Sequence, residues 1–314
     1  MSNSPVSGMH WGIDIGGTTT ILGYLKPGGF VKAATLKTDP SSGPDSLLRK
    51  ISKTIDEIDH APCSAGVGIA GLVNRSEGVV VFSANLPGWK DYPIRCKLST
   101  ILNCPVVIDN DCSVFAIQAI ESSSIPDSGL WLMITLGTGI GGTIIHDGNI
   151  LYGSGFAGEF GHMTVEASGK NCPCGSKGCW ERYAASGALS EYYRKHGNNS
   201  MCISPKEIAQ LASMKQDAAL KAFKEFGTWL GIGLANLYHC FSPGGVFIAG
   251  GLMGASEFFL GHAESEFNDR CRYSWNVNVL PSSSDAGAEG AAIMGRNTKQ
   301  NIADLENDND TDSM

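Results

Sequence analysis

The chain has 314 residues, 42% of them hydrophobic, and a formal net charge of −8 at neutral pH. This length and apolar content suffice for two domains or one large α/β unit with a full core. The acidic balance disfavours nucleic-acid binding, which needs basic surface to neutralise phosphates. No run reaches the length of a membrane span, and residues 1–10 lack the regions of a signal peptide. We therefore expect a cytoplasmic protein with reduced cysteines and neither membrane nor nucleic acid as a partner.

The first motif is a glycine-rich turn that follows a short apolar run and reads Asp14-Ile-Gly-Gly-Thr18-Thr-Thr. Apolar alternation resumes after it, so the pattern predicts a β-hairpin with glycines at its tip. Gly16 and Gly17 allow a phosphate to approach backbone N–H groups, while Thr18 and Thr19 add hydroxyls. Asp14 is a candidate to hold Mg²⁺ through water. An ordinary glycine turn is an equal alternative on these residues alone.

Hydrophobic periodicity predicts the elements along the rest of the chain. Strands are expected over 65–71, 79–82, 106–108, 131–135, 143–146, 245–249 and 277–280. Helices are expected over 44–58, 113–120, 183–196, 205–214, 217–240, 256–270 and 286–295. We expect a small α/β domain over 1–115, with helix 286–299 as a candidate addition, and a large α/β domain over 116–285. Residues 300–314 form an acidic tail that is expected to be disordered.

A run of polar residues, Asp109-Asn110-Asp111, separates the predicted strand 106–108 from the predicted helix 113–120. A carboxylate at such a junction points into the crevice where α/β folds bind their ligands. Asp111 is therefore either the cap of the helix or a general base for a hydroxyl group, and the local sequence favours neither.

A second glycine-rich hairpin follows the strand 131–135, with Gly137, Thr138 and Gly139 at its tip. It resembles the turn after Asp14, with hydroxyls and glycines in a similar arrangement. An internal repeat of a hairpin that can cradle a phosphate is more informative than either copy.

The densest motif lies between Gly155 and Glu181, where three thiols fall within eight residues. Cys172, Cys174 and Cys179, with His162 upstream, form the ligand set of a tetrahedral zinc site. Four protein ligands leave no position for water, so the zinc is interpreted as structural. A chance cluster of buried thiols is the alternative, although ordinary cores do not pack thiols so densely.

Together these motifs resemble the ROK family of sugar kinases, named for repressors, open reading frames and kinases, from about Trp11 to Gly295. The likeness is most specific in two segments at their mutual spacing, Gly158-Glu-Phe-Gly-His162 and Cys172-Pro-Cys-Gly-Ser-Lys-Gly-Cys-Trp-Glu181. It implies an actin-like, hexokinase-like (ribonuclease H-like) α/β ATPase fold with two domains around a central cleft. It also implies a homodimer.

The resemblance further implies roles for individual residues. Both hairpins would hold the phosphates of ATP, with Gly250 and Gly251 near the adenosine. Asp111 matches the catalytic base of the family. The residues that match its sugar ligands are Gly71, Asn110, Asp111, Glu159, His162 and Glu181.

The implied activity is transfer of the γ-phosphate of ATP to the 6-hydroxyl of a hexose, first of all glucose, with Mg²⁺ as cofactor. N-acetylmannosamine or N-acetylglucosamine is the alternative sugar, and polyphosphate the alternative donor. A repressor is disfavoured because ten residues precede the first predicted strand, too few for a DNA-binding domain. A non-enzymatic sugar-binding or regulatory protein is disfavoured because Asp111 and both hairpins are present.

The sequence departs from the usual family pattern beside these residues. Ala70, Cys112 and Ser113 stand where Pro, Ala and Asn are frequent, and Thr19 and Thr20 where Lys is frequent. These departures concern the fine positioning of the site and leave the base itself in place.

Overall fold

The computed structural model describes residues 8–58, 60–83, 86–197, 203–281 and 283–298. The strands are β1 (Met9–Ile15), β2 (Thr19–Lys26), β3 (Gly29–Lys37), β4 (Pro62–Ile69), β5 (Leu72–Asn74), β6 (Val79–Phe82), β7 (Val106–Asn110), β8 (Leu130–Leu136), β9 (Ile140–His146), β10 (Asn149–Leu151), β11 (Gly245–Ala249) and β12 (Val277–Val279). The α-helices are α1 (Pro44–Glu57), α2 (Ile94–Leu102), α3 (Asp111–Glu121), α4 (Glu181–Ala184), α5 (Ser186–Gly197), α6 (Pro205–Ser213), α7 (Asp217–Phe241), α8 (Leu260–Arg270) and α9 (Ala286–Arg296). The predicted tail 300–314 lies outside the described residues.

The chain divides into two compact units. Among the described residues, the first unit comprises those within 8–124, 152–157 and 283–298, and the second comprises those within 125–151 and 158–281. The boundary expected at residue 115 falls inside α3, which belongs wholly to the first unit together with α9.

The first unit is built on a five-stranded sheet in the order β3-β2-β1-β4-β7. Strands β1 and β2 are antiparallel, whereas β1, β4 and β7 run parallel. Helix α9 packs directly on β1 and β4. The fit is so close that a Cβ at Gly12 of β1 would stand 1.8 Å from the carbonyl oxygen of Ala288. The amphipathic helix α1 contributes its apolar side chains to the core formed around Trp11 and Ile13.

The second unit repeats this plan with a sheet in the order β10-β9-β8-β11-β12. It again has an antiparallel hairpin, β8–β9, followed by strands that run parallel to β8 and to each other. The 25-residue helix α7 supplies Phe223, Phe226 and Leu230 to the core of this unit. The repeat that the two glycine-rich hairpins indicated in the sequence thus extends to the order of whole sheets.

Two helices differ from their predicted bounds, one because it is split and the other because it begins later. The helix expected over 183–196 is split into α4 and α5 because Ala185 is extended, with φ −119° and ψ 176°. Ser186 donates its backbone N–H and its hydroxyl to the carbonyl oxygen of Gly137, at 2.9 and 2.6 Å, rather than continuing α4. The helix expected over 256–270 begins only at Leu260, after a 3₁₀ segment over Gly251–Phe258. Within the described ranges, none of the helices has the length and apolar character needed to cross a bilayer.

Candidate active site

The turn from β7 into α3 places Asn110 and Asp111 side by side. Asn110 is the N-cap of α3, since its Oδ1 accepts the N–H of Cys112 at 2.8 Å. Its Nδ2 donates to the carbonyl oxygen of Gly71 at 3.0 Å, so three of the predicted sugar ligands meet here. Asp111 is the first helical residue, and its Oδ1 shares the Cys112 N–H at 3.0 Å. The cap position is thus filled by Asn110, which leaves Asp111 available for chemistry.

Two carboxylates of the first unit, Asp111 in this turn and Asp14 in β1, have raised pKa values. Burial raises the pKa of Asp111, against the hydrogen bond from the Cys112 N–H, which lowers it. Burial, and secondly the charge of Asp111, raise the pKa of Asp14 to about 7. Asp14 lies against the first turn of α9, where a Cβ at Gly287 would stand 2.5 Å from its Oδ2. The first unit therefore holds a pair of coupled carboxylates that a cation would stabilise.

The first glycine-rich turn joins β1 to β2. The N–H of Gly16 donates to the carbonyl oxygen of Thr19 at 2.9 Å, which closes the turn, and Thr18 and Thr19 are exposed. Thr20 is buried, and its hydroxyl pairs with that of Thr38 at 2.8 Å. Of the three threonines, only the two exposed ones have hydroxyls that an anion at the tip of the hairpin can reach.

The second glycine-rich turn joins β8 to β9. Glu181, a predicted sugar ligand, lies beside this turn, and Gly250, predicted near the adenosine, lies beside the end of β8. The N–H of Gly137 donates to the carbonyl oxygen of Gly139 at 3.0 Å. A Cβ at Gly139 would stand 2.8 Å from Oε2 of Glu181, and a Cβ at Gly250 would stand 2.4 Å from the carbonyl oxygen of Leu136. Gly250, with φ 106°, and Gly251 open a 3₁₀ segment after β11. At Gly250, glycine is thus required both by close approach to the backbone of Leu136 and by the backbone conformation.

Glu159 and His162 belong to a segment that lies directly on β9. Gly158, with φ 102°, approaches Gly142 so closely that a Cβ would stand 2.5 Å from the carbonyl oxygen of Gly142. Phe160 is buried in the core of the second unit. The backbone of this segment is therefore fixed, and Glu159 and His162 are partly exposed, each with 40% of its side-chain surface accessible.

The predicted zinc ligands converge. One ligand atom from each of His162, Cys172, Cys174 and Cys179 can be chosen so that all lie within 4.8 Å of one another. Sγ of Cys174 lies 3.6 Å from Sγ of Cys179, and Sγ of Cys172 lies 3.8 Å from Nδ1 of His162. A tetrahedron with metal–sulfur bonds of about 2.3 Å has edges of about 3.8 Å, so these residues fit a zinc ion.

The same imidazole faces the two predicted sugar-binding carboxylates. Nε2 of His162 lies 3.9 Å from Oε2 of Glu159, and Nδ1 lies 3.8 Å from Oε1 of Glu181. Glu181 follows Trp180, which is fully buried and donates its Nε1–H to the carbonyl oxygen of Trp229 at 2.8 Å. Glu159, His162 and Glu181 therefore form one polar group at the edge of the thiol cluster.

The structure places the predicted site residues as two sets, one within each unit. The first unit holds Asp14, Gly16, Gly17, Thr18, Thr19, Gly71, Asn110 and Asp111. The second unit holds Gly137, Thr138, Gly139, Glu159, His162, Cys172, Cys174, Cys179, Glu181, Gly250 and Gly251. Sequence reasoning assigned no role to Asp109, to Arg75 or to Tyr152, which form a buried cluster beside Asn110. The one signal in the sequence was that Asp109 belongs to the same polar run as Asp111.

The fold and these residues define a class. Two α/β units with the same strand order, each with a glycine-rich hairpin between its first two strands, form an actin-like, hexokinase-like ATPase fold. The ROK family model matches residues 10–298, and the chain belongs to the ROK family.

Similar proteins include sugar kinases. The glucokinase of Streptomyces coelicolor is 31% identical over 271 residues, which cover 81% of this chain and 85% of the relative. The N-acetyl-D-glucosamine kinase of Escherichia coli is 28% identical over 258 residues, covering 78% and 84%. The crystal structure of a ROK family glucokinase from Streptomyces griseus in complex with glucose and AMPPNP has a TM-score of 0.82 at 29% identity. That match covers 92% of this chain and 99% of the other.

Proposed function

We propose that this protein is an ATP-dependent hexose kinase that phosphorylates the 6-hydroxyl of glucose. The observation that carries the proposal is the polar group formed by Glu159, His162 and Glu181, whose facing atoms lie 3.8 to 3.9 Å apart. A sugar presents a hydroxyl at nearly every ring carbon, and a site that discriminates it needs several acceptors and donors close together. Two carboxylates and an imidazole of the second unit supply them. In the first unit, the resemblance to ROK kinases assigns the same role to Asn110 and Gly71.

Asp111 acts as the general base. Its carboxylate takes the proton of the sugar hydroxyl while the oxygen forms a bond to the γ-phosphorus of ATP. The bond between the γ-phosphorus and the bridging oxygen breaks, and ADP leaves with that electron pair. The raised pKa of Asp111 suits this role, because a base that binds a proton more tightly assists the transfer more effectively.

The two glycine-rich turns hold the phosphates. The N–H groups of Gly16 and Gly137 close the two turns. The N–H groups of Gly17 and Gly139 can approach phosphate oxygens, and the hydroxyls of Thr18, Thr19 and Thr138 add donors. Asp14 would hold Mg²⁺ through water, and the ion would neutralise the charge on the phosphates. Gly250 and Gly251 bind near the adenosine.

Zinc has a structural role in this proposal. It would be held by His162, Cys172, Cys174 and Cys179, and would supply a cross-link between the two ends of the segment 158–181. The imidazole then has a fixed orientation, with Nδ1 at the thiols and Nε2 available to bind a sugar hydroxyl. Assembly as a homodimer and a cytoplasmic location also remain predictions.

A second candidate is an N-acetylhexosamine kinase. It is favoured by the N-acetyl-D-glucosamine kinase among the relatives, because the same carboxylates and imidazole serve a ring that carries an acetamido group. The difference lies in the space around the 2-substituent of the sugar.

The test is a coupled assay of ADP release with purified protein, ATP and Mg²⁺. The panel contains glucose, mannose, N-acetylglucosamine and N-acetylmannosamine, together with a reaction that contains no sugar. We expect glucose to give the highest kcat/KM, and the product to be identified as the 6-phosphate. Preference for an N-acetylhexosamine would select the second candidate. No stimulation by any sugar, with ATP or with polyphosphate as the donor, would reject the kinase.

A further inference from the structure

A charged cluster around a buried carboxylate lies beside the proposed base. Asp109 is 2% exposed, and Nε of Arg75 lies 2.9 Å from its Oδ2. The hydroxyl of Tyr152 donates to the same oxygen at 2.7 Å, and the guanidinium carbon of Arg75 lies 3.5 Å from the centre of the Tyr152 ring. The cluster is therefore an ion pair, a charged hydrogen bond and a cation–π stack around one carboxylate.

The contacts of Arg75 are partly misaligned. Its Nε is buried and close to Asp109, but the Nε–H has no acceptor in hydrogen-bonding geometry among the described residues. Arg75 therefore acts on Asp109 mainly through its charge and through its stack on Tyr152. Burial raises the pKa of Asp109, and Arg75, Tyr152 and the N–H of Asn110 oppose that rise. The ionised form of Asp109 depends on these neighbours.

The cluster joins three segments of the first unit. Arg75 lies in the turn after β5, four residues beyond Gly71, and Asp109 lies in β7 directly before Asn110. Tyr152 opens the segment Tyr152–Ala157, which the chain enters after β10 and leaves at Gly158, just before Glu159. Each member is thus close in sequence to a proposed sugar ligand.

Asp109 transmits this arrangement to the turn that holds the base. Its Oδ1 accepts the N–H of Asn110 at 2.7 Å, so the carboxylate fixes the peptide that precedes Asn110. Asn110 in turn caps α3 and holds the carbonyl of Gly71. A rotation of the Asp109 side chain would therefore disturb the orientation of Asn110 and Asp111 together.

Stability alone gives little reason to keep such a cluster. Replacing a buried ion pair by apolar residues of similar volume is often neutral or stabilising, whereas removing one partner is strongly destabilising. A buried ionic cluster bonded to the residue before a base is better explained by a need for fixed geometry.

We propose that Arg75 and Tyr152 are positioning residues for phosphoryl transfer, which act through Asp109 on the Asn110–Asp111 turn. The inference rests on the proposed kinase function. It assigns these residues an effect on the rate of the chemical step, since none of them belongs to the nucleotide-binding turns. Loss of a contact should therefore lower kcat and leave KM for ATP nearly unchanged.

The decisive variant is Tyr152→Phe, which removes the hydroxyl and keeps the ring that stacks on Arg75. We expect kcat to fall about tenfold, equivalent to about 1.4 kcal/mol, with KM for ATP changed less than about twofold. The matched control is Tyr92→Phe, because Tyr92 also donates to a carboxylate of the first unit, Oδ1 of Asp45 at 2.6 Å. This control should change the melting temperature and leave kcat at the wild-type value.

A charge-balance test uses Arg75→Met, alone and with Asp109→Asn. The single variant leaves Asp109 buried without its cation, so we expect kcat and melting temperature both to fall. Adding Asp109→Asn removes the uncompensated charge and should restore melting temperature more than kcat, because the neutral amide no longer anchors the turn as firmly. Equal recovery of both quantities would assign the cluster to stability alone.

The outcomes separate the inference from the proposed function. Wild-type kcat in Tyr152→Phe, in a protein that releases ADP when sugar is added, would overturn the inference and leave the kinase intact. A wild-type protein that no sugar stimulates would overturn both. If Arg75→Met does not fold, the comparison of Tyr152→Phe with Tyr92→Phe decides alone.

Discussion

Replacing the proposed base is the sharpest test of the site, and Asp111→Asn changes one oxygen to an amide group. Asparagine can still accept the Cys112 N–H that Oδ1 of Asp111 accepts at 3.0 Å, so the start of α3 should be preserved. Loss of a general base costs about 10²- to 10⁴-fold in rate, or about 3 to 5.5 kcal/mol of transition-state stabilisation. We expect kcat to fall by that factor, while the dissociation constant for glucose, from calorimetry, changes little.

The same substitution should stabilise the fold in a defined pH range. Because burial raises the pKa of Asp111 above its ordinary 3.8, the folded state binds more protons than the unfolded state between the two pKa values. The free energy of unfolding of the wild type therefore falls as pH rises through that window. The amide introduced by Asp111→Asn does not titrate, so the stability of the variant relative to wild type should rise from pH 3.8 upward and level off above the folded pKa.

The control for this prediction is a carboxylate whose pKa is lowered in the folded state, the opposite of Asp111. Hydrogen bonds from Tyr92, and secondly from Lys97, lower the pKa of Asp45, so Asp45→Asn should lose relative stability as pH rises from the folded pKa to the ordinary value, and should keep normal turnover. Urea unfolding at several pH values measures both trends. Near-normal kcat in Asp111→Asn would refute the assignment of the base, and a pH-independent stability difference would refute the burial argument.

Two further predictions concern the predicted zinc site and Asp14. Cys174→Ala should lose bound zinc, measured by metal analysis, and weaken glucose binding. The control Cys240→Ala, at an exposed cysteine of the same unit, should change neither. Zinc retained at one equivalent in Cys174→Ala would contradict the ligand set. Gly287→Ala would place a methyl group 2.5 Å from Oδ2 of Asp14, so kcat in the ADP-release assay should fall at least several-fold. The control Gly261→Ala, with open space around its Cβ position, should leave kcat unchanged. Equal activity of the two variants would show that Asp14 can move without consequence.

The sequence predicted the parts of the fold that local patterns determine. Both glycine-rich hairpins follow from apolar alternation around glycines, and the Cys3His cluster follows from spacing. The strands β5 and β10 were not predicted, because three residues are too few to show a period. The helix α2 was also missed, although Ile94, Leu98 and Leu102 recur at helical spacing. The break at Ala185 was missed because it depends on a tertiary contact, the bond from Ser186 to Gly137.

The same distinction between local sequence patterns and tertiary contacts applies to the candidate site. The sequence could not show that Asn110, rather than Asp111, takes the cap position, and the role of Asp111 as a base stays a prediction. The cluster of Arg75, Asp109 and Tyr152 could not be predicted, because 43 residues separate Tyr152 from Asp109 and neither Arg75 nor Tyr152 lies in a recognisable motif. Buried charge pairing is a property of the packed chain, so residue spacing does not reveal it.

Two proposed sugar ligands of the second unit, Glu181 and His162, should not depend equally on the predicted zinc. Glu181 follows Trp180, whose buried ring and bond to Trp229 hold it without any metal. The backbone of His162 is held by Phe160 and by the close contact of Gly158 with β9. Among the described residues, its ring makes only one long hydrogen bond to Sγ of Cys172, at 3.8 Å, and lies 3.8 to 3.9 Å from the carboxylates of Glu159 and Glu181. A bound zinc would therefore fix the imidazole plane, and we predict that sugar binding through His162 depends on zinc more than binding through Glu181 does.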